Sequence, residues 1–184
     1  MTLWKWLALA AGGLAILAVS RRALPRPRAH GFYRTWAWLA IYALFLLNVD
    51  SWFVDPFSPR QLLAWTLLVL SLVLIAAGAR TLRRAGRPDA SRQDESLIGL
   101  EKTTRLVTTG IYRFIRHPFY ASLLALAWGI FCKQTTWPAL VLALLASGFL
   151  LVTARLEEGE NLRYFGPAYA EYMQRTRRFI PFVF

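Results

Sequence analysis

The sequence predicts an all-α, multi-pass integral membrane protein with five transmembrane helices, the last two forming a helical hairpin. Its 184 residues are 57% hydrophobic and only 17% charged, whereas soluble domains carry about 25% charged residues. The abundant apolar surface excludes a disordered chain. Cys132 is the single cysteine, which excludes an internal disulfide framework. One Cys and two His cannot supply the four ligands of a structural zinc site.

Three apolar segments are long enough to cross a bilayer, whose core of about 30 Å needs about 20 helical residues. The clearest is 62–79, which has no charge and no proline. Segment 36–54 is nearly as apolar, and in segment 3–19 the Lys5 ammonium can reach the interface. The alternative for 3–19 is a cleaved signal peptide, because Lys5 precedes an apolar core. Two further spans favour the multi-pass interpretation.

Two shorter apolar runs, 119–131 and 139–154, predict the antiparallel hairpin. The first run gives only about 20 Å of helix. It therefore needs tilt, membrane thinning or a hairpin partner to span. Pro118 and Pro138 each stand where a helix can begin, because the first helical residue needs no N–H partner.

The distribution of basic residues predicts the topology. Segments 21–35, 80–118 and 155–184 hold 19 of the 22 Lys and Arg. The exceptions are Lys5, Arg60 and Lys133. This positive-inside alternation predicts an N-terminus outside and a C-terminus in the cytoplasm. It argues against nucleic-acid binding, because no base-reading motif accompanies the charge, while membrane lipid is a reasonable partner. The Ala/Leu/Arg-rich composition favours a bacterial inner membrane.

The chain is predicted to divide at residue 80. Region 1–79 holds three transmembrane helices, and region 80–184 holds a loop (80–118), the hairpin (119–154) and a tail (155–184). The hairpin returns the chain to the membrane face from which it started. We therefore expect the loop and the tail, which contain most of the polar sequence, to meet.

The loop ends in a motif that can present an anion site. Thr108, Thr109 and Gly110 suggest a turn. Pro118 restricts His117 to extended geometry, and the free N–H groups of the helix that follows suit a carboxylate. The alternative is an interfacial aromatic belt with arginines on lipid phosphates.

The tail begins with Glu157 and Glu158 at the membrane boundary, where an unpaired carboxylate is costly. Gly166 and Pro167 end this helix and can begin another. Residues at helical spacing predict a short interfacial helix; they are Tyr169, Tyr172, Met173 and Thr176. The alternative is a solvated charged turn followed by an amphipathic tail.

Together, the two stretches resemble the isoprenylcysteine carboxyl methyltransferase family and its bacterial relatives, over roughly residues 100–184. The residues that carry the resemblance are Gly110, Ile111, Tyr112, Arg116, His117, Pro118, Phe119, Tyr120, Glu157, Glu158, Leu162, Phe165, Gly166, Tyr169, Tyr172, Arg178, Ile180 and Pro181. Phospholipid N-methyltransferases and some membrane sterol reductases are similar in this region. The resemblance therefore indicates the fold more strongly than the substrate.

The resemblance implies a methyltransferase that uses S-adenosyl-L-methionine, held in a cytoplasmic pocket, to methylate a lipid-like or prenylated acceptor. No metal is expected. The residues implied to bind the cofactor are Thr104, Arg105, Leu106, Val107, Tyr112, His117, Pro118, Phe119, Tyr120 and Glu157.

The catalytic candidates depend on the acceptor. His117 or Glu158 could take a proton from an amine or thiol, and Arg155 could orient a carboxylate. Eukaryotic members of the family place a substrate-binding Arg one turn before the Glu that corresponds to Glu157. This chain has Thr153 there, and Arg155 is displaced by two residues.

Two other classes stay open. One is an NADPH-dependent reductase of the sterol type, which NADPH would protect from heat unfolding. The other is a non-enzymatic membrane protein, such as a haem or lipid-handling subunit. Haem ligation is disfavoured because His30 and His117 lie far apart in the sequence. The strand, Gly-rich loop and helix of a dinucleotide-binding unit do not occur in this sequence.

Overall fold

A computed structural model of the chain describes residues 2–86 and 105–181. These residues form α-helices and short 3₁₀ turns, and their one β contact is an isolated parallel bridge between Ile115 and Arg177. The helices are α1 (Leu3–Val19), α2 (His30–Asn48), α3 (Pro59–Ala85), α4 (Pro118–Lys133), α5 (Trp137–Phe165) and α6 (Pro167–Arg175). The predicted all-α class is confirmed. Helices α2, α3 and α5 are long and apolar enough to cross a membrane, while α1 and α4 are apolar but shorter.

The long helices extend beyond the apolar runs that predicted them. Helix α3 starts at Pro59, after Ser58, whose hydroxyl accepts the N–H of Gln61 at 3.4 Å. Helix α5 continues to Phe165, well past the last apolar residue of its run. Hydropathy marks the residues that lie in hydrocarbon, whereas helical hydrogen bonding continues through polar turns. The polar ends of α3 and α5 can therefore contribute to a site at the membrane face.

The predicted bounds of the second span are wrong at both ends. Helix α2 starts at His30, inside the basic segment, and ends at Asn48. The Asn48 amide donates to the carbonyls of Ile130 at 2.8 Å and Gln134 at 3.0 Å. A 3₁₀ turn, Val49–Ser51, follows. The polar start of α2 was missed because its burial against α5 is a tertiary contact.

Small residues allow the helices to pack closely. Helix α2 packs against α5, α3 packs against α4, and α1 lies against α2. One face of α5 is entirely buried, and alanines on it let the α2 backbone approach. The residues of this face are Ala139, Ala143, Ala146, Leu150 and Ala154. The predicted hairpin of α4 and α5 is present, and each of its helices also packs on an N-terminal helix.

Two glycines with positive φ shape the polar end of the molecule. Gly110 (φ +58°) begins the 3₁₀ turn Gly110–Arg113, and a Cβ there would lie 2.5 Å from the Thr81 hydroxyl oxygen. Gly166 (φ +60°) joins α5 to α6 and donates its N–H to the Leu162 carbonyl at 2.9 Å. Both turns suit glycine, which adopts this conformation without a Cβ clash. They place the 3₁₀ turn against α3 and let α6 begin directly after α5.

A buried polar cluster joins the start of α3 to the end of α4. The Lys133 side chain is fully buried, with its Nζ 2.9 Å from Gln61 Oε1 and 3.1 Å from the centroid of the Trp65 ring. It also donates to the Trp52 carbonyl at 3.3 Å. Arg60 donates to the backbone carbonyl of Lys133. We call these five residues the Lys133 cluster.

Candidate active site

The loop before α4 and the tail after α6 lie side by side, as the sequence predicts. The Arg116 N–H donates to the Arg177 carbonyl at 2.8 Å, and the His117 N–H donates to the Arg178 carbonyl at 3.2 Å. In the other direction, the Arg177 N–H donates to the Phe114 carbonyl at 3.1 Å. These backbone bonds fix the tail against the residues that lead into α4. The two polar stretches therefore form one site.

Glu158 connects three segments at the base of this site. Its Oε1 accepts from Arg116 Nε at 2.9 Å, and its Oε2 accepts from Arg178 Nη2 at 2.6 Å. Arg116 also donates to the backbone carbonyl of Thr176 at 2.5 Å. The side chains of Glu158 and Arg116 are only 5% and 8% exposed. Both carboxylate oxygens of Glu158 accept hydrogen bonds from guanidinium groups. This geometry suits a residue that positions the loop and the tail. The predicted role of Glu158 as a base stays a prediction.

His117 and Glu157 face each other at the start of α4 and along α5. The His117 ring is buried and stacks on Tyr120, with centroids 5.4 Å apart. Its Nδ1 lies 3.9 Å from Glu157 Oε2, and its Nε2 lies 3.4 Å from Glu158 Oε1. Neither contact is a hydrogen bond, and Nε2 has no hydrogen-bond partner among residues 2–86 and 105–181. Tyr120 donates its hydroxyl to Glu157 Oε2 at 2.5 Å.

A cavity opens between His117, Glu157 and the aromatic residues around them. It encloses about 640 Å³ of empty space, its open mouth included. Eight of the ten predicted cofactor residues line it: Leu106, Val107, Tyr112, His117, Pro118, Phe119, Tyr120 and Glu157. Arg105 is exposed and lies away from the lining, and Thr104 falls outside the described residues. Most residues of this wall are therefore ones that the sequence assigned to cofactor binding, and that role stays a prediction.

The predicted catalytic residues occupy three different positions. His117 lines the cavity, and Glu158 is buried directly behind it. Arg155 is exposed on α5, away from the cavity lining. Its predicted role stays a prediction, and the exposed position argues for a small contribution. Thr153 is fully buried, and its hydroxyl donates to the Phe149 carbonyl at 2.7 Å.

The remaining wall of the cavity was not assigned from the sequence. Its residues are Leu82, Arg116, Asn161, Phe165, Tyr169 and Tyr172. Tyr169 and Tyr172 recur at helical spacing after Gly166, and this amphipathic signal could have indicated that α6 covers the site. Leu82 comes from the end of α3, and no local pattern marks it.

The two tyrosines of α6 close the cavity from the tail side. Both are buried, and Tyr172 donates its hydroxyl to the Tyr112 carbonyl at 2.7 Å. Burial raises the pKa of both phenols well above the ordinary value, and for Tyr169 the charge of Glu157 adds to this effect. Both phenols therefore stay protonated at neutral pH. Helix α6 thus supplies a neutral aromatic wall opposite the carboxylates.

Comparison with known proteins agrees with this architecture. Residues 59–168, more than half of the chain, match the model of the family described as phospholipid methyltransferase. The match begins with the first residue of α3 and ends in α6. The apolar helices and this family match define the class of the protein: it is an integral membrane methyltransferase.

The chain belongs to the phospholipid methyltransferase family, and its resemblance to the isoprenylcysteine carboxyl methyltransferases is confirmed. It is 30% identical over 149 residues to protein-S-isoprenylcysteine O-methyltransferase B of Arabidopsis thaliana, covering 77% of this chain and 74% of that protein. It is 29% identical over 124 residues to a probable protein-S-isoprenylcysteine O-methyltransferase of Oryza sativa subsp. indica, covering 65% of this chain and 63% of that protein.

A third relative is named for a different acceptor. Methanethiol S-methyltransferase 1 of Bradyrhizobium diazoefficiens is 33% identical over 86 residues, covering 46% of this chain and 30% of that protein. No solved structure matches the chain.

Proposed function

We propose that this chain transfers a methyl group from S-adenosylmethionine to a lipophilic acceptor of the prenylcysteine kind, at the cavity between His117 and Glu157. One observation carries the proposal: the loop before α4 and the tail after α6 are hydrogen-bonded together, and beside this junction one cavity is lined by both His117 and Glu157. A membrane enzyme of this size needs such a junction, because one loop cannot enclose a cofactor.

The residues around the cavity fit the proposed methyl donor. S-adenosylmethionine, when bound, supplies a methyl carbon attached to a positively charged sulfur. Glu157 provides a carboxylate on the cavity wall, and the aromatic faces of Tyr112, Phe119 and Tyr120 also favour a cation. The His117 ring also lines the cavity, and its Nε2 lies 3.4 Å from Glu158 Oε1 behind the ring. Leu106 and Val107 line the cavity and would offer backbone contacts. The cofactor-binding roles of Arg105 and of Thr104, which lies outside the described residues, stay predictions.

Catalysis at this site would come mainly from alignment and from the exclusion of water. Methyl transfer is an in-line displacement, so holding two reactants in register lowers the barrier. Tyr169 and Tyr172 cover the cavity, and the buried His117 ring lies at its base, which limits the access of water. Glu158 holds the tail through Arg116 and Arg178 and so acts as a positioning residue.

A carboxylate acceptor needs a cation to orient it, and Arg34 can provide that cation. Thr153 occupies the position where the eukaryotic enzymes carry an Arg. Arg34 of α2 is the cation that we propose instead: it is buried at 5% exposure, its guanidinium carbon lies 5.3 Å from the centroid of the Trp38 ring, and it is not itself one of the residues that line the cavity. The Arabidopsis relative, named for isoprenylcysteine O-methyl transfer, supports this acceptor class.

We further propose five membrane spans, with the cavity and the C-terminus in the cytoplasm and the N-terminus outside. The three cations outside the basic segments support this topology because they lie at the end of the bundle away from the cavity. Lys5 Nζ lies 2.5 Å from Asp50 after α2, and Arg60 contacts the end of α4 at Lys133. A bacterial inner membrane is the proposed location. The predicted division at residue 80 stays a prediction; the family match begins at residue 59, so α3 accompanies the second region.

The test is calorimetric binding of S-adenosylhomocysteine to the detergent-solubilised protein. We expect His117→Ala and Glu157→Ala to weaken binding at least about 10-fold, since each loses a contact worth about 1.5–3 kcal/mol. Glu171→Gln, in an exposed ion pair with Arg175 on α6, is the matched control and should bind normally. A folded wild-type protein that does not bind S-adenosylhomocysteine, or that NADPH protects from heat unfolding instead, would overturn the proposal.

Turnover identifies the acceptor. We expect methylation of N-acetyl-S-farnesylcysteine, and we expect Arg34→Gln to reduce it more than it reduces donor-analogue binding. Methylation of phosphatidylethanolamine alone would reject the prenylcysteine acceptor while leaving methyl transfer in place.

A further inference from the structure

A groove separate from the methyl-transfer cavity lies between the last turns of α3 and the 3₁₀ turn Gly110–Arg113. It encloses about 760 Å³ of space, its open mouth included. Its apolar lining includes Ala77, Ala85 and Ile111, and its charged lining residues are Arg80 and Arg84. None of the residues around it lines the cavity that contains His117. The mechanism proposed above gives this groove no role.

The two arginines make the groove positively charged. Arg80 and Arg84 are one helical turn apart on α3, so their side chains share a helix face. Both are exposed, and neither forms an ion pair within residues 2–86 and 105–181. A guanidinium group binds a phosphate through paired hydrogen bonds. The groove is therefore suited to an anion with phosphate oxygens.

The position of the groove along α3 is that of a lipid headgroup. Segment 62–79 forms about 27 Å of helix, close to the thickness of about 30 Å of a bilayer core. Arg80 is the next residue, so both arginines reach the level of the lipid phosphates in the proposed topology. Ala77 lies about one turn deeper. A phospholipid has a phosphate for the arginines and acyl chains for the apolar lining, whereas a soluble phosphate has nothing to place there.

The groove shares a wall with the methyl-transfer cavity. Ala85 and Ile111 line the groove and pack on the buried cluster of Leu82, Val107 and Tyr112. These three residues line the cavity on the other side. A molecule that occupies the groove therefore contacts residues that support the cavity wall. Binding at one place is expected to affect binding at the other, and such coupling is reciprocal.

We propose that this groove, which we call the Arg80 groove, binds an acidic phospholipid of the cytoplasmic leaflet and that the bound lipid favours donor binding in the neighbouring cavity. The inference rests on the proposed function, including its topology. Arg80 and Arg84 bind the lipid phosphate, while Ala77 and Ile111 contact the glycerol and the upper acyl chain. Basic pockets at the cytoplasmic end of transmembrane helices suit such headgroups. The lipid stabilises the shared wall through Ala85 and Ile111.

Native mass spectrometry of the detergent-solubilised full chain, titrated with phosphatidylglycerol, tests the binding site. We expect a single phosphatidylglycerol to bind more tightly than phosphatidylcholine, whose headgroup is neutral. Arg80→Gln and Arg84→Gln should each weaken phosphatidylglycerol binding about 5-fold. Arg83→Gln is the matched control, because Arg83 is exposed on the same helix but does not line the groove. It should leave the affinity within about 2-fold of wild type.

Three outcomes of this titration would overturn the lipid site. An equal loss in Arg83→Gln would mean that the arginines attract lipid only as a diffuse surface charge, which salt screens. Displacement of phosphatidylglycerol by inorganic phosphate at the same concentration would assign the groove to a free phosphate. Equal affinity for phosphatidylglycerol and phosphatidylcholine in the wild type would show that the arginines do not select the headgroup.

The effect on the cavity is measured as the affinity for S-adenosylhomocysteine in nanodiscs of phosphatidylcholine, with and without phosphatidylglycerol. We expect phosphatidylglycerol to tighten binding to the wild type and to Arg83→Gln by about 5-fold, as for a modest coupling between sites. The combined variant Arg80→Gln/Arg84→Gln should show no such difference.

Equal affinity for S-adenosylhomocysteine in both kinds of nanodisc would overturn the coupling, even if the lipid binds. Failure of S-adenosylhomocysteine to bind in either nanodisc would instead reject the proposed function. The native mass spectra would then still decide whether the Arg80 groove binds lipid.

Discussion

The two ends of the helical bundle both bury charged side chains, but they do so in different ways. At one end, the Lys133 ammonium contacts Gln61 Oε1, the Trp52 carbonyl and the Trp65 ring, and these contacts fill the space around it. At the other end, beside a cavity, the ring nitrogens Nε2 of His30 and His117 are buried and make no hydrogen bond within residues 2–86 and 105–181, although that of His117 lies 3.4 Å from Glu158 Oε1. Within the described part of the chain, the Lys133 end has a single buried polar atom without a hydrogen bond, Asn48 Oδ1.

The filled arrangement at the Lys133 end suits the packing of helices, whereas the open arrangement at the cavity end suits the binding of a ligand. The Lys133 cluster joins α3 to α4 through groups that already have partners, so a ligand would have to displace them. At the cavity end, Glu158 forms ion pairs with Arg116 and Arg178. The His117 ring and the Glu157 carboxylate on the cavity wall therefore stay available to a ligand. The predictions below test whether stability and binding can be changed separately at the two ends.

The largest effect on stability is expected for Glu158→Ala. It leaves the buried Arg116 without its carboxylate and detaches Arg178 of the tail. Breaking a buried ion pair costs about 3–5 kcal/mol. The melting temperature in detergent should fall sharply, and S-adenosylhomocysteine binding should be lost with the tail. Normal melting with lost binding would instead make Glu158 a ligand residue.

Gln61→Leu should destabilise the opposite end by about 2–3 kcal/mol, because the Lys133 ammonium loses its side-chain acceptor. Below the melting transition, we expect S-adenosylhomocysteine to bind within about 2-fold of wild type. Calorimetry together with thermal unfolding checks this result. A large loss of binding in folded protein would show that the two ends are coupled.

Glu157→Gln should do the reverse of Gln61→Leu. The cavity wall loses its negative charge while Tyr120 keeps an oxygen acceptor. We expect binding of S-adenosylmethionine, whose sulfur carries the positive charge that S-adenosylhomocysteine lacks, to weaken about 10- to 100-fold, with only a minor change in melting temperature. Unchanged affinity would remove Glu157 from the proposed donor site.

Tyr120→Phe should have a smaller effect on the same measurement. It removes a single hydroxyl that donates to Glu157 Oε2 and keeps the ring that stacks on His117. We expect affinity to fall about 3- to 10-fold, as for the loss of one hydrogen bond. A loss as large as that of Glu157→Gln would mean that the hydroxyl itself contacts the ligand.

Arg155→Ala should have the smallest effect, because the side chain is exposed and lies away from the cavity lining. Exposed substitutions of this kind change stability by at most about 0.5 kcal/mol. Binding and turnover should stay within about 2-fold of wild type. A large loss of turnover with N-acetyl-S-farnesylcysteine alone would restore the sequence prediction that Arg155 orients the acceptor.

The sequence predicted the helices far better than their ends. Apolar runs placed the helices α1 to α5, and Pro118 marked the start of α4. The polar turns of α2, α3 and α5 do not contribute to a hydropathy signal. Their helical state depends on contacts with distant residues, such as the bond between His30 and Glu160.

The residues of the candidate site show the same distinction between local sequence signals and contacts made by folding. Residues within the motif around His117 were assigned from the sequence because they are neighbours in the chain. Leu82 and the residues of α6 reach the cavity only after folding brings three segments together. The pair of His30 and Glu160 is the extreme case, since 130 positions separate its members.

The contact between Arg116, Glu158 and Arg178 has a consequence for the choice of ionic strength. Mobile ions screen exposed charges over about 8 Å in physiological saline but act little on buried ones. Concentrated salt should therefore weaken the attraction of surface arginines such as Arg83 and Arg84 to acidic vesicles, while the tail stays bound to Glu158 through Arg178. Purification at high ionic strength can thus remove bound acidic lipid and leave the candidate site intact.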